Sequence, residues 1–241
     1  MNNTRQEVLQ IIYHKFDEWL QKEKFFCHKG CSACCTNNVM ATKLEAESII
    51  DHIVGEGKIP WFAEKLEQSE GAGIITRTTN GFARICLEKE EETDDAGEES
   101  WSLGSCPFLE GDTCGIYQVR PFACRSFASL TDCRTYGTST LPEGIVAGNT
   151  VSMQVIEHLG QGEMWGNIID LLLALCGEDQ YSGILNHLKK KERINEAKTK
   201  LLPAEAIPGF LLMPDEEKEV EALLWTIYSE KIGQKSVGDF F

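Results

Sequence analysis

Four cysteines within nine residues, in the segment CHKGCSACC from Cys27 to Cys35, constrain this chain more than any other feature of it. Their offsets of zero, four, seven and eight would place them on one face of a regular helix, roughly 100° wide, and a looped backbone could converge them as well. Cysteine serves as a small buried hydrophobe in many cores, but packing does not ask for this density. Thiolates coordinate soft and borderline cations and clusters, so Cys27, Cys31, Cys34 and Cys35 read as metal ligands. His28 lies between two of them, whereas His14, His52, His158 and His187 show no ligand spacing and read as structural.

A second cysteine-rich stretch runs from Cys106 to Cys133, with Cys106, Cys114, Cys124 and Cys133 separated by seven, nine and eight residues. None of these forms the Cys-x-x-Cys knuckle of zinc ribbons, which weakens that reading. Both groups could surround one site, or two sites could share a small region. Four thiolates around a divalent zinc carry a net charge of about minus two, which calls for donors or cations nearby. Lys29, Arg120, Arg125 and Arg134 stand close in sequence to candidate ligands, and Pro107 and Pro121 stiffen the backbone beside Cys106 and Arg120. Cys86 and Cys176, set in FARICL and LLLALCG, read as core.

With 241 residues, 42% of them apolar, the chain can bury a core without help from its cysteines. A net charge of -15 argues against nucleic acid and anionic membranes as partners. The opening MNNTRQEVLQIIYHKF lacks the pattern of a secretory signal, and the longest apolar run, Ile168 to Cys176, is too short to span a bilayer. A cytoplasmic location follows as the expectation, and in that reducing compartment ten cysteines read as ligands or catalytic thiols rather than disulfides.

Val8, Ile11, Ile12, Phe16, Trp19 and Leu20 recur at helical spacing and predict an amphipathic helix over Thr4 to Lys24. Thr42 and Glu45 have the spacing of a capping box for a second helix that Gly55 and Gly57 end, and Pro60 opens a third. The segments IITRT and FARICL flank Thr79-Asn80-Gly81, and Asn-Gly predicts a hairpin there. Gly71-Ala72-Gly73 reads as a turn, and the acidic run between Glu88 and Glu99 as a mobile surface loop. Helices are expected near Val151–Leu159, Glu163–Leu175 and Gly183–Arg193, and a last one after Pro214 and Asp215, with Val220, Leu223, Leu224, Ile227 and Tyr228 on its apolar face. The expected architecture is mainly α with a small β-hairpin, an irregular cysteine-rich metal-binding core flanked by helices. It is one domain over residues 1–241, with the core at 27–133 and a helical C-terminal part at 151–233.

Three motifs in order, C-x3-C-x2-C-C at Cys27–Cys35, C-P-F-L at Cys106–Leu109 and C-x-I-Y-x-x-R-P-x-x-C-R at Cys114–Arg125, resemble the CxxCxxCC-type cysteine-cluster family of zinc- or iron-chelating domains. The first motif departs from that pattern in having C-x3-C. The resemblance implies a metal centre carried by Cys27, Cys31, Cys34, Cys35, Cys106, Cys114, Cys124 and Cys133. It also brings methyl transfer into view, since flagellin lysine N-methylases look like larger enzymes built with this module. The preferred expectation is an iron–sulfur centre, possible redox work included; the alternative is a zinc-stabilised protein-interaction module without catalysis. A protein partner or substrate is expected but not specified. The C-x3-C-x2-C spacing is shared with radical-SAM enzymes, but Ala33 stands where an aromatic is usual and no strand–helix alternation supports a βα barrel.

Overall fold

The computed structural model describes residues 2–69, 75–88 and 104–241. Helix α1 (Asn2–Leu20) delivers the chain into the cysteine loop, and strand β1 (Met40–Thr42) follows. Thr42 then starts α2 (Lys43–Gly55): its hydroxyl accepts from the Glu45 N–H while the Glu45 carboxylate accepts from the Thr42 N–H, the reciprocal cap read from the sequence. Pro60 occupies the first turn of α3 (Ile59–Gln68), as expected of a residue with no N–H to satisfy.

The hairpin expected around Asn80-Gly81 does not form. Residues Thr79–Glu88 make helix α4, and Thr78 caps it by accepting from the Gly81 N–H. Asn80 is buried and donates its side-chain amide to the carbonyls of Gln154 and Glu205. Gly81 keeps a negative φ, and a Cβ there would come within 2.6 Å of the Glu205 carboxylate. Close tertiary approach, not a turn, uses this glycine. The turn at residues 71–73 and the acidic run over residues 89–99 lie outside the described residues.

The small hairpin is instead β2 (Leu109–Glu110) and β3 (Thr113–Cys114), turning at Gly111 with φ 60°. Short helices α5 (Phe122–Ser126) and α6 (Cys133–Tyr136) carry the last two cysteines of that region. Helix α7 (Glu143–Leu159) begins well before Val151, where Pro142 opens it.

The helix expected over Glu163–Leu175 is divided. Met164–Asn167 form β4, the centre of an antiparallel sheet ordered β1-β4-β5, and α8 occupies Ile168–Cys176. Asn167 makes the switch by capping α8 through the Ile169 N–H while its amide donates to the Asn37 carbonyl. The helix expected over Gly183–Arg193 is likewise broken into α9 (Ser182–Leu185) and α10 (Glu192–Thr199). Strand β5 (Leu202–Pro203), helix α11 (Glu217–Tyr228), the two-stranded ribbon of β6 (Lys231–Ile232) and β7 (Lys235–Ser236) and a final 3-10 turn (Val237–Phe240) follow. The fold is thus mainly α with short antiparallel strands.

Two apolar cores meet at α2. Ile49, Ile50 and Ile53 pack with α3, α8 and α10, and Leu44 with α1, α7 and α11. Of the ten cysteines, Cys176 alone is fully buried, as expected for core, while Cys86 is exposed on α4, contrary to that reading. The buried residues of α4 are Asn80 and Ala83, and Cys86 lies one turn further on, towards the end of the helix. Between α7 and its neighbours the buried Glu157 accepts from the Asn80 and Glu205 N–H groups at 2.9 and 2.8 Å. Burial raises its carboxyl pKa above the ordinary value. No helix among the described residues is long and apolar enough to cross a membrane.

Candidate metal centre

The segment from Cys27 to Cys35 is a loop, not a helix, so the shared helix face is not what gathers its cysteines. Backbone hydrogen bonds tie this loop to the second cysteine region instead. The Phe26 N–H donates to the Ser129 carbonyl at 2.8 Å, the Cys106 N–H to the Cys35 carbonyl at 3.2 Å, and Thr36 bridges Ser105. Asn37 closes this junction, its N–H donating to the Gly104 carbonyl and its side-chain oxygen accepting from the Gly104 N–H.

Each remaining cysteine has its own support. The β2–β3 hairpin sets Cys114 opposite Leu109, whose N–H donates to the Cys106 carbonyl at 3.1 Å. Pro121 precedes α5 at φ -65° and accepts the Cys124 N–H, so the rigid residue fixes the first turn that carries this thiol. Asp132 caps α6 by accepting from the Arg134 N–H, directly beside Cys133.

These elements enclose a cavity of about 570 Å³. Seven of the eight sequence-predicted ligands line it, Cys27, Cys31, Cys34, Cys35, Cys106, Cys114 and Cys124, along with His28. Cys133 is not in its wall. Apolar side chains, Val39, Phe108, Ile116, Ile168 and Ile169 among them, make up much of the rest. Among the described residues no three His, Cys, Asp or Glu side chains stand close enough together to hold a metal ion. The thiols share a cavity without converging on a point within it.

Burial in these apolar walls favours the neutral thiol. It raises Cys27 and Cys114 and pushes Cys106 up to about 11 and Cys124 higher still. Cys34 is also raised, first because its thiol donates to Cys35, and the same contact lowers Cys35. Within the adjacent pair Cys34 therefore holds its proton more tightly than an ordinary thiol and Cys35 less tightly.

The cations named from the sequence are disposed unequally. Arg120 stacks on Tyr117, its guanidinium 4.0 Å from the ring centroid, and favours the charged forms of Cys114 and Cys124. Lys29 stands 5.7 Å from the same ring. Arg125 is committed to Asp17 at 3.1 Å, and Arg134 to Asp112 at 3.0 Å. Ser32 donates to the same Asp112 carboxylate, so one exposed carboxylate links three of the cysteine loops.

Glu45 escaped the sequence reading in this role. Beyond its capping box, its Oε1 accepts from the Tyr13 hydroxyl and from the Phe122 N–H, both at 2.7 Å. A carboxylate that is 3% exposed thus joins α1, α2 and the helix bearing Cys124. The Thr42–Glu45 spacing signalled the cap, but nothing local signalled the partners from distant segments.

Soft sulfur donors, abundant and held in a largely apolar cavity, are a set suited to zinc or to an iron–sulfur cluster and poorly suited to hard cations. Residues 26–141 match the model of the CxxCxxCC family, described as "Putative zinc- or iron-chelating domain". No curated protein matches the chain. No solved structure matches it either.

Proposed function

We propose, from the membership of residues 26–141 in the CxxCxxCC family, that this domain chelates metal as an iron–sulfur centre through Cys27, Cys31, Cys34, Cys35, Cys106, Cys114, Cys124 and Cys133. The observation that carries the reading is the common cavity: cysteines from two segments some seventy residues apart in sequence line one chamber. A tetrahedral zinc with sulfurs at about 2.3 Å needs four thiolates and little room. A cavity of about 570 Å³ suits the bulkier cluster better. When bound, such a cluster supplies one-electron chemistry. The chain itself supplies thiols, the apolar side chains around them, and Arg120 to offset the charge they carry when deprotonated. A reducing cytosol is the setting in which these cysteines stay available as ligands.

The deciding measurement is iron and acid-labile sulfide on protein prepared without oxygen, together with a visible spectrum. Iron and sulfide in equal amounts with broad visible absorbance is the expected result; their joint absence removes the reading. A zinc-stabilised interaction module has one observation in its favour. Phe26, Phe127 and Tyr136, on or beside the cysteine loops, are 46%, 57% and 68% exposed, an apolar rim fit for a protein partner. Zinc without sulfide in the same assay would select it.

A further inference from the structure

The mouth of the cysteine-lined cavity is a surface in its own right. Phe127 stands in the cavity wall and is nonetheless more than half exposed, and Phe26, Leu130 and Tyr136 are exposed on adjoining loops. Hydrogen bonds hold these segments side by side. The Phe26 N–H donates at 2.8 Å to the carbonyl of Ser129, which lies between Phe127 and Leu130. Arg134, two residues before Tyr136, donates to the Ser32 hydroxyl at 3.0 Å and so fastens α6 to the cysteine loop. Large apolar side chains offered to solvent from one place mark an interaction site.

Charge around this rim is opposite in sign to that of the whole chain. Residues 22–36 and 104–141 hold six Lys and Arg against four Asp and Glu, within a chain of net charge -15. Most acids on this face are already answered within the fold. Asp112 pairs with Arg134, Glu110 with Lys65 and Asp17 with Arg125, while Asp132 caps α6. Lys22, Lys24 and Lys29, which flank Phe26 in sequence, are exposed and make no ion pair among the described residues. Glu23 is the one acid in that loop.

We infer that this rim docks an acidic protein segment bearing apolar side chains. Phe127 and its neighbours take the apolar groups, and Lys22, Lys24 and Lys29 take the carboxylates. Exposed aromatics supply the contact area that binding needs, and the unpaired cations steer the encounter and select its sign. The acid-rich remainder of the chain repels such a partner everywhere else, which confines its approach to this face, and it opposes an anionic membrane for the same reason. A segment seated here lies over the mouth of the cavity that the cysteines line. The inference takes the apolar rim named above and adds the partner's chemistry. It does not depend on which metal the domain holds, because no side chain in the rim is a candidate ligand.

The test is fluorescence anisotropy on the full chain, prepared without oxygen, with labelled synthetic peptides that alternate Glu with Leu, Ser with Leu or Lys with Leu. Only the Glu–Leu peptide is expected to bind, and several-fold more weakly once salt is raised well above the physiological level. Lys22→Glu, Lys24→Glu and Lys29→Glu combined should cut its affinity about tenfold, mainly through the association rate. Phe127→Ser and Tyr136→Ser should each weaken it about fivefold or more through faster dissociation. Trp225→Ser, at an exposed aromatic on α11, should change nothing. All the substituted side chains are exposed, and circular dichroism checks that each variant is folded. Equal binding of the Ser or Lys peptide overturns the inference, as does Glu–Leu binding that the rim variants leave unchanged. Binding to phosphatidylserine vesicles, or a rim-dependent dimer of the parent chain, in place of peptide binding also overturns it. Iron, zinc and sulfide are counted on the same sample. Peptide binding without metal removes the chelating reading and leaves the docking surface, and metal without peptide binding does the reverse.

Discussion

At Glu45 one buried carboxylate accepts from donors in three parts of the chain: the Thr42 N–H and hydroxyl, the Tyr13 hydroxyl and the Phe122 N–H. Replacing it with alanine leaves these donors without partners, at about 1–3 kcal/mol for each group that stays buried. Glu45→Ala is therefore expected to lower stability by several kcal/mol in denaturant titration, and Tyr13→Phe by only about 1 kcal/mol. A loss in Glu45→Ala no larger than that of Tyr13→Phe would show that the carboxylate does not join the elements. Glu157 makes the pH argument. Its folded pKa is raised by burial, so the native state holds the proton more tightly than the unfolded chain. The resulting stability is present in full below the ordinary glutamate value and is lost as pH rises through the raised one. Unfolding titrations from pH 4 upward, at about half-unit steps, should show this decline in the parent and a shallower one in Glu157→Gln.

Among the elements, the β2–β3 hairpin bears most directly on the candidate centre, and a glycine lets it dock. A Cβ on Gly115 would lie 2.5 Å from the ring of Trp61 on α3, far inside contact distance. Trp61 is itself held, its indole N–H donating to Glu110 on β2 at 2.8 Å. Gly115→Ala must therefore push hairpin and helix apart next to Cys114. We expect a loss of about 1–3 kcal/mol, with metal content reduced more than helix content. Unchanged metal binding would show that the hairpin's docking does not set the position of Cys114. The same scale shows why local patterns misled. Asn80-Gly81 has the composition of a turn, yet buried hydrogen bonds to Gln154, Glu157 and Glu205 make it the start of a helix. Met164–Asn167 continues a helical pattern into Ile168, yet pairs with Met40–Thr42 as a strand.

For the molecule as a whole, the two cores are made almost entirely of aliphatic and aromatic side chains, and Cys176 is the one cysteine among their buried members. The cores are therefore expected to fold without metal, in contrast to small zinc domains that are unfolded without it. Protein stripped with a chelator under reducing conditions should keep its helical circular dichroism and a cooperative thermal transition. Restoring metal should raise that transition and protect the loops over residues 26–36 and 104–134 from proteolysis. Collapse of the helical signal on chelation would contradict the independence of the cores. Uptake should also strengthen as pH rises, because thiols held neutral by burial must surrender protons to bind.

Helix periodicity, the Thr42–Glu45 cap and Pro60 were legible because each is a local interaction, settled within a few residues of chain. The cysteine motifs were legible for a similar reason: chemistry that needs many thiols leaves them in the composition whatever the fold. Other features depended on contacts between distant segments. These include the looped course of Cys27 to Cys35, the helix at Thr79–Glu88, the exposure of Cys86 and the second role of Glu45. Such contacts satisfy backbone and buried polar groups with partners more than seventy residues away, as Asn80 does with Gln154 and Glu45 with Phe122. Spacing along a chain carries no record of those partners. The sequence by itself therefore determined which atoms are offered to a metal, and only the tertiary structure decided which of them become neighbours.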